Sequence, residues 1–245
     1  MSENSRIEWT EATWNPVTGC TKISKGCVNC YAERLALRLK AMDVKKYHAG
    51  FDVTIHKKEL SRPYEWKKPM RIFVNSMGDL FHDEVPFSFI EEVFSVMNDN
   101  KKHIFQILTK RSERLIEISD KLNWSENIWM GVTIEDKEYL YRMGHLIPTG
   151  AKVKFISFEP LLSGMDGVDL QGVDWAIVGG ESGPRCRGIK TEWVNEIRDT
   201  CIESNVPFFF KQWGGERRTK SGRLLDGKTW DEMPVYSNAG TLVYG

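Results

Sequence analysis

Three runs in the second half of the chain, Val153 to Glu159 (VKFISFE), Trp175 to Gly179 (WAIVG) and Pro207 to Gln212 (PFFFKQ), are nearly continuous in apolar residues. A strand with one face in water alternates apolar and polar residues, whereas a strand covered on both faces does not, and sheets covered on both faces are usually parallel. Four further candidates lie upstream: a short strand near Ala12 to Asn15, then Arg71 to Asn75, His103 to Thr109 and Ile128 to Thr133. Parallel neighbours need long crossovers. Helical spacing supplies them in Tyr31 to Met42, with apolar residues at 31, 35, 39 and 42, and again in Phe87 to Met97, Glu113 to Ile118, Lys137 to Met143 and Trp193 to Cys201. The expectation is an α/β chain: a single-domain partial or full (β/α) barrel with about six to seven parallel strands over residues 1–213, with a doubly wound open sheet as the runner-up. Residues 214–245 turn Gly-rich, charged and aperiodic, and read as an appended loop or hairpin.

Apolar residues make up 41% of the 245, enough for a sizeable core, which excludes disordered and collagen-like chains. Basic and acidic residues balance at 34 each, so no global field favours nucleic acid or a membrane surface, and such a partner must be met by a local patch. No stretch approaches the roughly 18 apolar residues of a membrane span. The polar start also lacks the hydrophobic region of a signal peptide, so a soluble, cytoplasmic protein without membrane contact is expected.

In either architecture ligands meet the carboxyl ends of the strands. The polar residues expected there are Asn75, Ser76 and Asp79; Thr109, Lys110 and Arg111; Thr133 and Glu135; Ser157 and Glu159; Glu181; and Lys211 and Gln212. A single Thr or Lys at a strand end means little, because loops are polar in any protein. Among the five histidines no metal-ligand spacing occurs, and only His82, near Asp79, falls at a candidate strand end. The glycine-rich loop Gly179 to Gly183 does not fit G-x-G-x-x-G, and a dehydrogenase-type nucleotide fold is unsupported.

Three of the five cysteines, Cys20, Cys27 and Cys30, lie within eleven residues in the spacing C-x6-C-x2-C, in the loop between the first strand and the first helix. That is a poor plan for disulfides and a good one for a metal. Three thiolates can hold three corners of an iron–sulfur cube with the fourth iron open, or three positions of a tetrahedral zinc. A closed zinc site usually draws ligands from two knuckles, and the chain has no second C-x2-C or H-x3-H pair, which favours an open site.

Three cysteines after the first strand of a β/α barrel resemble the radical S-adenosylmethionine superfamily. The usual spacing there is C-x3-C-x2-C with an aromatic residue before the last cysteine. This chain has three more residues in the first gap and Asn29 in the aromatic position, with Tyr31 following. A closer likeness, over nearly the whole chain, is to a phage-associated family named for its three-cysteine motif. It rests on TWNPVTGC (Thr13 to Cys20), CYAE (Cys30 to Glu33), NSMGDLFHDEVP (Asn75 to Pro86) and VGGESGP (Val178 to Pro184). The first resemblance implies a [4Fe-4S] cluster on Cys20, Cys27 and Cys30, whose open iron binds S-adenosyl-L-methionine and whose electron releases a 5′-deoxyadenosyl radical. Met77-Gly78-Asp79 is similar in position to that superfamily's Gly-Gly-Glu segment, a common Gly-Asp turn being the alternative; on that likeness Ser76, Met77, Gly78 and Asp79 are expected to line the methionyl end of the cofactor, and by position alone Thr109, Ser157 or Glu159 to face the ribose.

Residues 34–71 carry eleven Lys and Arg against four acids, interleaved with Tyr47, Phe51, Tyr64 and Trp66. Such a mixture can follow a nucleic-acid backbone and stack bases; the plainer alternative is a solvated helix face and loop. With the phage resemblance, it makes a nucleotide or nucleic-acid base the expected substrate. Cys186, between Arg185 and Arg187, is a candidate catalytic thiol that could return a hydrogen atom to a substrate radical, as a cysteine does in one branch of the superfamily; an inert cysteine is the alternative. The competing function is a non-catalytic nucleic-acid-binding protein with a structural zinc or iron–sulfur centre. A partner protein that completes the site stays open.

Overall fold

Residues that pack on both sides of a strand dictate the fold, and β6 and β8 below are buried along their whole length. The computed structural model describes residue 5 and residues 7–216, 222–236 and 242–244. In chain order the elements are β1 (Ala12–Trp14), β2 (Val17–Thr18), α1 (Tyr31–Ala41), β3 (Thr54–Ile55), α2 (Arg62–Glu65), β4 (Arg71–Val74), α3 (Phe87–Asp99), β5 (Ile104–Thr109) and α4 (Ser112–Ile118). There follow β6 (Ile128–Thr133), α5 (Tyr141–Leu146), β7 (Val153–Phe158), β8 (Trp175–Gly179), α6 (Thr191–Glu203), β9 (Phe208–Gln212), β10 (Pro234–Tyr236) and β11 (Leu242–Tyr244). The seven-stranded sheet has the order β1-β4-β5-β6-β7-β8-β9. Its strands run in chain order without the reversal of a doubly wound sheet, so the runner-up is set aside and the α/β fold is that of a partial (β/α) barrel. No described helix is long and apolar enough to cross a membrane.

The chain divides into two compact units. The first comprises Met1–Ile23, Cys30–Gly131 and Pro148–Lys152; the second comprises Ser24–Asn29, Val132–Ile147 and Val153–Gly245. In the first, β1, β4 and β5 pair in parallel, with Ala12 opposite Ile72 and Ile72 opposite Phe105. Trp14 and Phe105 meet at 5.8 Å between ring centroids. The amphipathic α3, entered at Pro86, buries Phe89, Val93 and Met97 at positions i, i+4 and i+8, with Ile90 and Phe94 beside them on the same face. In the second unit β7, β8 and β9 pair in parallel, and Trp175 of β8 lies 5.6 Å from Phe155 and 6.0 Å from Phe209.

The helical stretch expected over 137–143 is broken. A 3-10 turn occupies Lys137–Tyr139, capped where Glu138 N donates to Asp136 Oδ1 at 3.3 Å, and α5 starts only at Tyr141. The antiparallel pair β2–β3 and the one-turn α2 had no sequence counterpart, being too short to show a period. Of the expected C-terminal extension 214–245, residues 217–221, 237–241 and 245 lie outside the described residues; β10 and β11 pair antiparallel.

Candidate functional site

In the first unit the turn before Cys20 is built by close backbone approach. Gly19 N donates to Met77 O at 2.9 Å, and Cys20 N donates to Phe51 O at 3.1 Å. Gly19 has φ +85°, and a Cβ there would stand 2.2 Å from Asp52 O. Opposite it, a Cβ on Gly78 would stand 2.9 Å from Gly19 O. Two glycines therefore let the loop after β4 lie directly against the strand that leads into Cys20.

That loop spends most of its polar groups on itself. Asn15 Oδ1 accepts from Met77 N at 2.9 Å and from Ser76 Oγ at 3.2 Å, and Ser76 O accepts from Tyr31 Oη at 2.5 Å. The Met77 side chain is buried with Ala32, Ala36 and Tyr47, with Cys30 and Phe51 packed alongside, so only its backbone faces the loop. Asp79 is buried, and its carboxylate accepts from Thr109 Oγ1 at 2.7 Å and 2.9 Å, from Phe81 N at 3.0 Å and from Lys110 N at 3.3 Å. The structure thus joins Asp79 to Thr109.

Next to Cys20, Thr21 Oγ1 is 2.9 Å from His82 Nε2 and accepts from Arg111 Nη2 at 2.6 Å. His82 Nδ1 accepts from Glu84 N at 3.2 Å, which assigns the proton of the neutral ring to Nε2. Burial and the Arg111 charge hold the His82 pKa below its ordinary value. Arg111 pairs with Asp83 at 2.8 Å.

In the second unit the turn that carries Cys27 is held from two strand ends. Beyond β6, the fully buried Glu135 accepts from Ser24 Oγ and from Gly26 N at 3.2 Å, and pairs with the buried Arg142 at 2.9 Å. Tyr139 Oη accepts from Lys25 N at 3.1 Å. Beyond β8, Glu181 accepts from Asn29 Nδ2 at 2.9 Å and from Arg187 through Nε at 2.9 Å and Nη2 at 2.5 Å. Burial pushes the Glu181 carboxyl up, but the hydrogen bonds from Arg187 and Asn29 outweigh it and leave its pKa below the usual value. Asn29 Nδ2 also donates to Arg185 O at 3.0 Å, and Arg187 Nη1 donates to Lys25 O at 2.9 Å. The loop of Cys186 is thereby bonded to the turn of Cys27, and the Arg187 charge beside Cys186 is directed to Glu181.

Ser157 is buried within β7. Glu159 receives Lys211 Nζ at 2.8 Å on each oxygen, so its charge is matched. Sequence reasoning placed Glu135 and Glu181 at strand ends without a role and missed Arg142 altogether. Asn29, standing where an aromatic residue was expected, was the available signal of a polar anchor.

All five cysteines are outside disulfides, and Cys20, Cys27, Cys30 and Cys186 are half-buried. Among the described residues, no three His, Cys, Asp or Glu side chains stand together as a metal site. In kind the donor set does fit a cluster with one open iron: three reduced, partly accessible thiols between the first parallel strand and the first helix, with Cys30 at the N-cap of α1. Within 34–71, Lys46 pairs with Glu59, Arg62 with Glu65 and Arg71 with Glu11. Tyr47 and Trp66 are buried and so unavailable for stacking, whereas Tyr64 is exposed.

The family model described as "Protein of unknown function (DUF5131)" matches residues 4–234. The chain belongs to that family. No curated protein matches it. Among solved structures it is similar to a doubly substituted spore photoproduct lyase with bound S-adenosylmethionine and dinucleoside spore photoproduct, at 11% identity over 96% of this chain and 68% of that one, with a TM-score of 0.46. It is also similar to a spore photoproduct lyase complexed with dinucleoside spore photoproduct, at 10% identity over 93% of this chain and 66% of that one, with a TM-score of 0.43.

Proposed function

We propose that the chain is a cytoplasmic iron–sulfur enzyme of the radical S-adenosylmethionine type that acts on a nucleotide or nucleic-acid base. The observation that carries this reading is the setting of three reduced thiols between the first strand of a sequentially ordered parallel sheet and its first helix. Cys20, Cys27 and Cys30 would hold a [4Fe-4S] cluster, with S-adenosyl-L-methionine at the fourth iron. When bound, the pair supplies one-electron cleavage of the cofactor and a radical able to remove a substrate hydrogen.

The rest of the work falls to the chain's own side chains. Asp79 and Thr109 would brace the loop of Ser76, Met77 and Gly78, which would stand at the methionyl end of the cofactor. Ser157 and Glu159 remain the assignment for the ribose, and Lys211 would orient the Glu159 carboxylate there. Cys186 would meet the substrate, since its loop is bonded to the Cys27 turn.

A base is favoured over a peptide for two reasons. The motifs resemble a phage-associated family, and only Cys186 and Cys201 remain for auxiliary clusters. Of these, Cys201 is buried and its thiol is pushed up to about 12 by burial, with Glu232 adding to the shift, so it is a poor ligand. Anaerobic purification with iron, sulfide and zinc analysis tests the reading. Iron with matching sulfide supports it. About one zinc per chain and no sulfide would replace it with a structural metal in a nucleic-acid-binding protein.

A further inference from the structure

We infer that Glu135 is the positioning residue of the Cys27 turn: its buried carboxylate, countered by Arg142, fixes Ser24 and Gly26 and through them the Cys27 sulfur. The inference rests on the reading that Cys27 is a metal ligand. Glu135 is fully buried, and each of its oxygens has work to do. Oε2 accepts from Arg142 Nη1 at 2.9 Å, and that same nitrogen donates to Thr133 O at 2.8 Å, which ties the pair back to the end of β6. Oε1 accepts from Ser24 Oγ and from Gly26 N at 3.2 Å.

The fit leaves no slack. A Cβ on Gly26 would stand 2.9 Å from Glu135 Oε1 and 3.0 Å from its Cδ, so a larger residue there would have to push the buried carboxylate away from its partners. Ser24 Oγ also lies 3.4 Å from Cys27 Sγ. In the metal-free protein Ser24 donates to Glu135 Oε1 and its oxygen can accept from the Cys27 thiol; as a metal ligand Cys27 has no proton to give, so what Glu135 then fixes is the turn itself, through Ser24 and Gly26. The direction of this chain of contacts is set at its buried end. The longer first gap of C-x6-C-x2-C acquires a purpose here, because Ser24 and Gly26, the two residues that Glu135 holds, both lie in it.

The test compares Ser24→Ala, Ser24→Thr and Glu135→Gln with the parent. In reduced, metal-free protein, the alkylation rate of each cysteine by iodoacetamide is read by peptide mass mapping. After anaerobic reconstitution, iron and sulfide per chain are measured over a range of added iron. Ser24→Ala leaves the Glu135–Arg142 pair intact and guards against a folding failure in Glu135→Gln; Ser24→Thr keeps the hydroxyl and should restore parental behaviour. The expected result is a changed alkylation rate at Cys27 alone, with Cys30 as the internal reference, and cluster affinity weakened on the order of tenfold in Ser24→Ala and Glu135→Gln. A Cys27 rate and iron uptake equal to the parent's in Ser24→Ala would overturn the inference, as would Ser24→Thr behaving like Ser24→Ala. If the parent instead takes up zinc without sulfide, the proposed function fails, while a selective change at Cys27 would still uphold the positioning role.

Discussion

Thr109 Oγ1 lies 2.7 Å and 2.9 Å from the two carboxylate oxygens of Asp79, and so bonds the end of β5 to the loop that leaves its neighbour β4. With Phe81 N and Lys110 N on the same carboxylate, Asp79 is a brace before it is a ligand. Asp79→Ala would leave those buried donors unsatisfied and should destabilise the protein by about 1–3 kcal/mol. Asp79→Asn, which keeps the acceptor oxygen, should cost less. Denaturant unfolding measures both, and an Asp79→Ala midpoint equal to the parent's would refute the brace.

Acid should weaken the first unit through its histidines. Burial, aided by Arg111 at His82 and by Lys46 at His56, lowers both pKa values from 6.5. A depressed histidine pKa means that the unfolded chain takes up protons first, so stability is complete above about pH 6.5 and falls as pH drops through the folded values. At His82 the geometry agrees with this: a proton on Nδ1 would face the Glu84 N–H that now donates to it. Thermal unfolding from pH 7.5 to 5 should show this loss, and His82→Gln should flatten it. An unchanged slope in His82→Gln would remove His82 from the account.

Arg142 and Glu135 are both almost entirely inaccessible, with side-chain exposures of 1% and 0%. Removing one partner strands a buried charge, so Arg142→Met should cost about 3–5 kcal/mol. Arg142→Met with Glu135→Gln should cost clearly less than the two single losses together. Additive losses in a double-mutant cycle would show that the pair does not act as a unit.

Strands such as β8 and β6 were legible because burial on both faces leaves a continuous apolar run, WAIVG and IWMGVT. β2 and β3 were not, since two residues carry no period. In sequence the candidate site was visible only as closely spaced cysteines, because metal ligands come in fixed types and close spacings. Its anchors were not. Glu135 and Arg142 are ordinary residues of a strand end and a helix until folding buries them together, and the carboxylate of Asp79 looks the same in sequence whether it waits for a ligand or holds Thr109.

If residues 34–71 contact nucleic acid, binding should weaken steeply with salt, by a log–log slope of roughly −0.7 for each phosphate neutralised on a single strand. Lys67 and Lys68 are exposed. Their joint replacement by Ala should lower affinity without sequence preference and make the slope shallower by about 1.4. Fluorescence anisotropy with a short oligonucleotide measures both, and no binding at low salt would leave this region a solvated face.

The most direct test is anaerobic incubation of reconstituted protein with S-adenosyl-L-methionine and dithionite, followed by chromatographic assay for 5′-deoxyadenosine. The account requires 5′-deoxyadenosine from the parent and none from Cys27→Ala. Iron–sulfur-loaded parent protein that leaves the cofactor uncleaved, with and without added nucleotides or oligonucleotides, would contradict it.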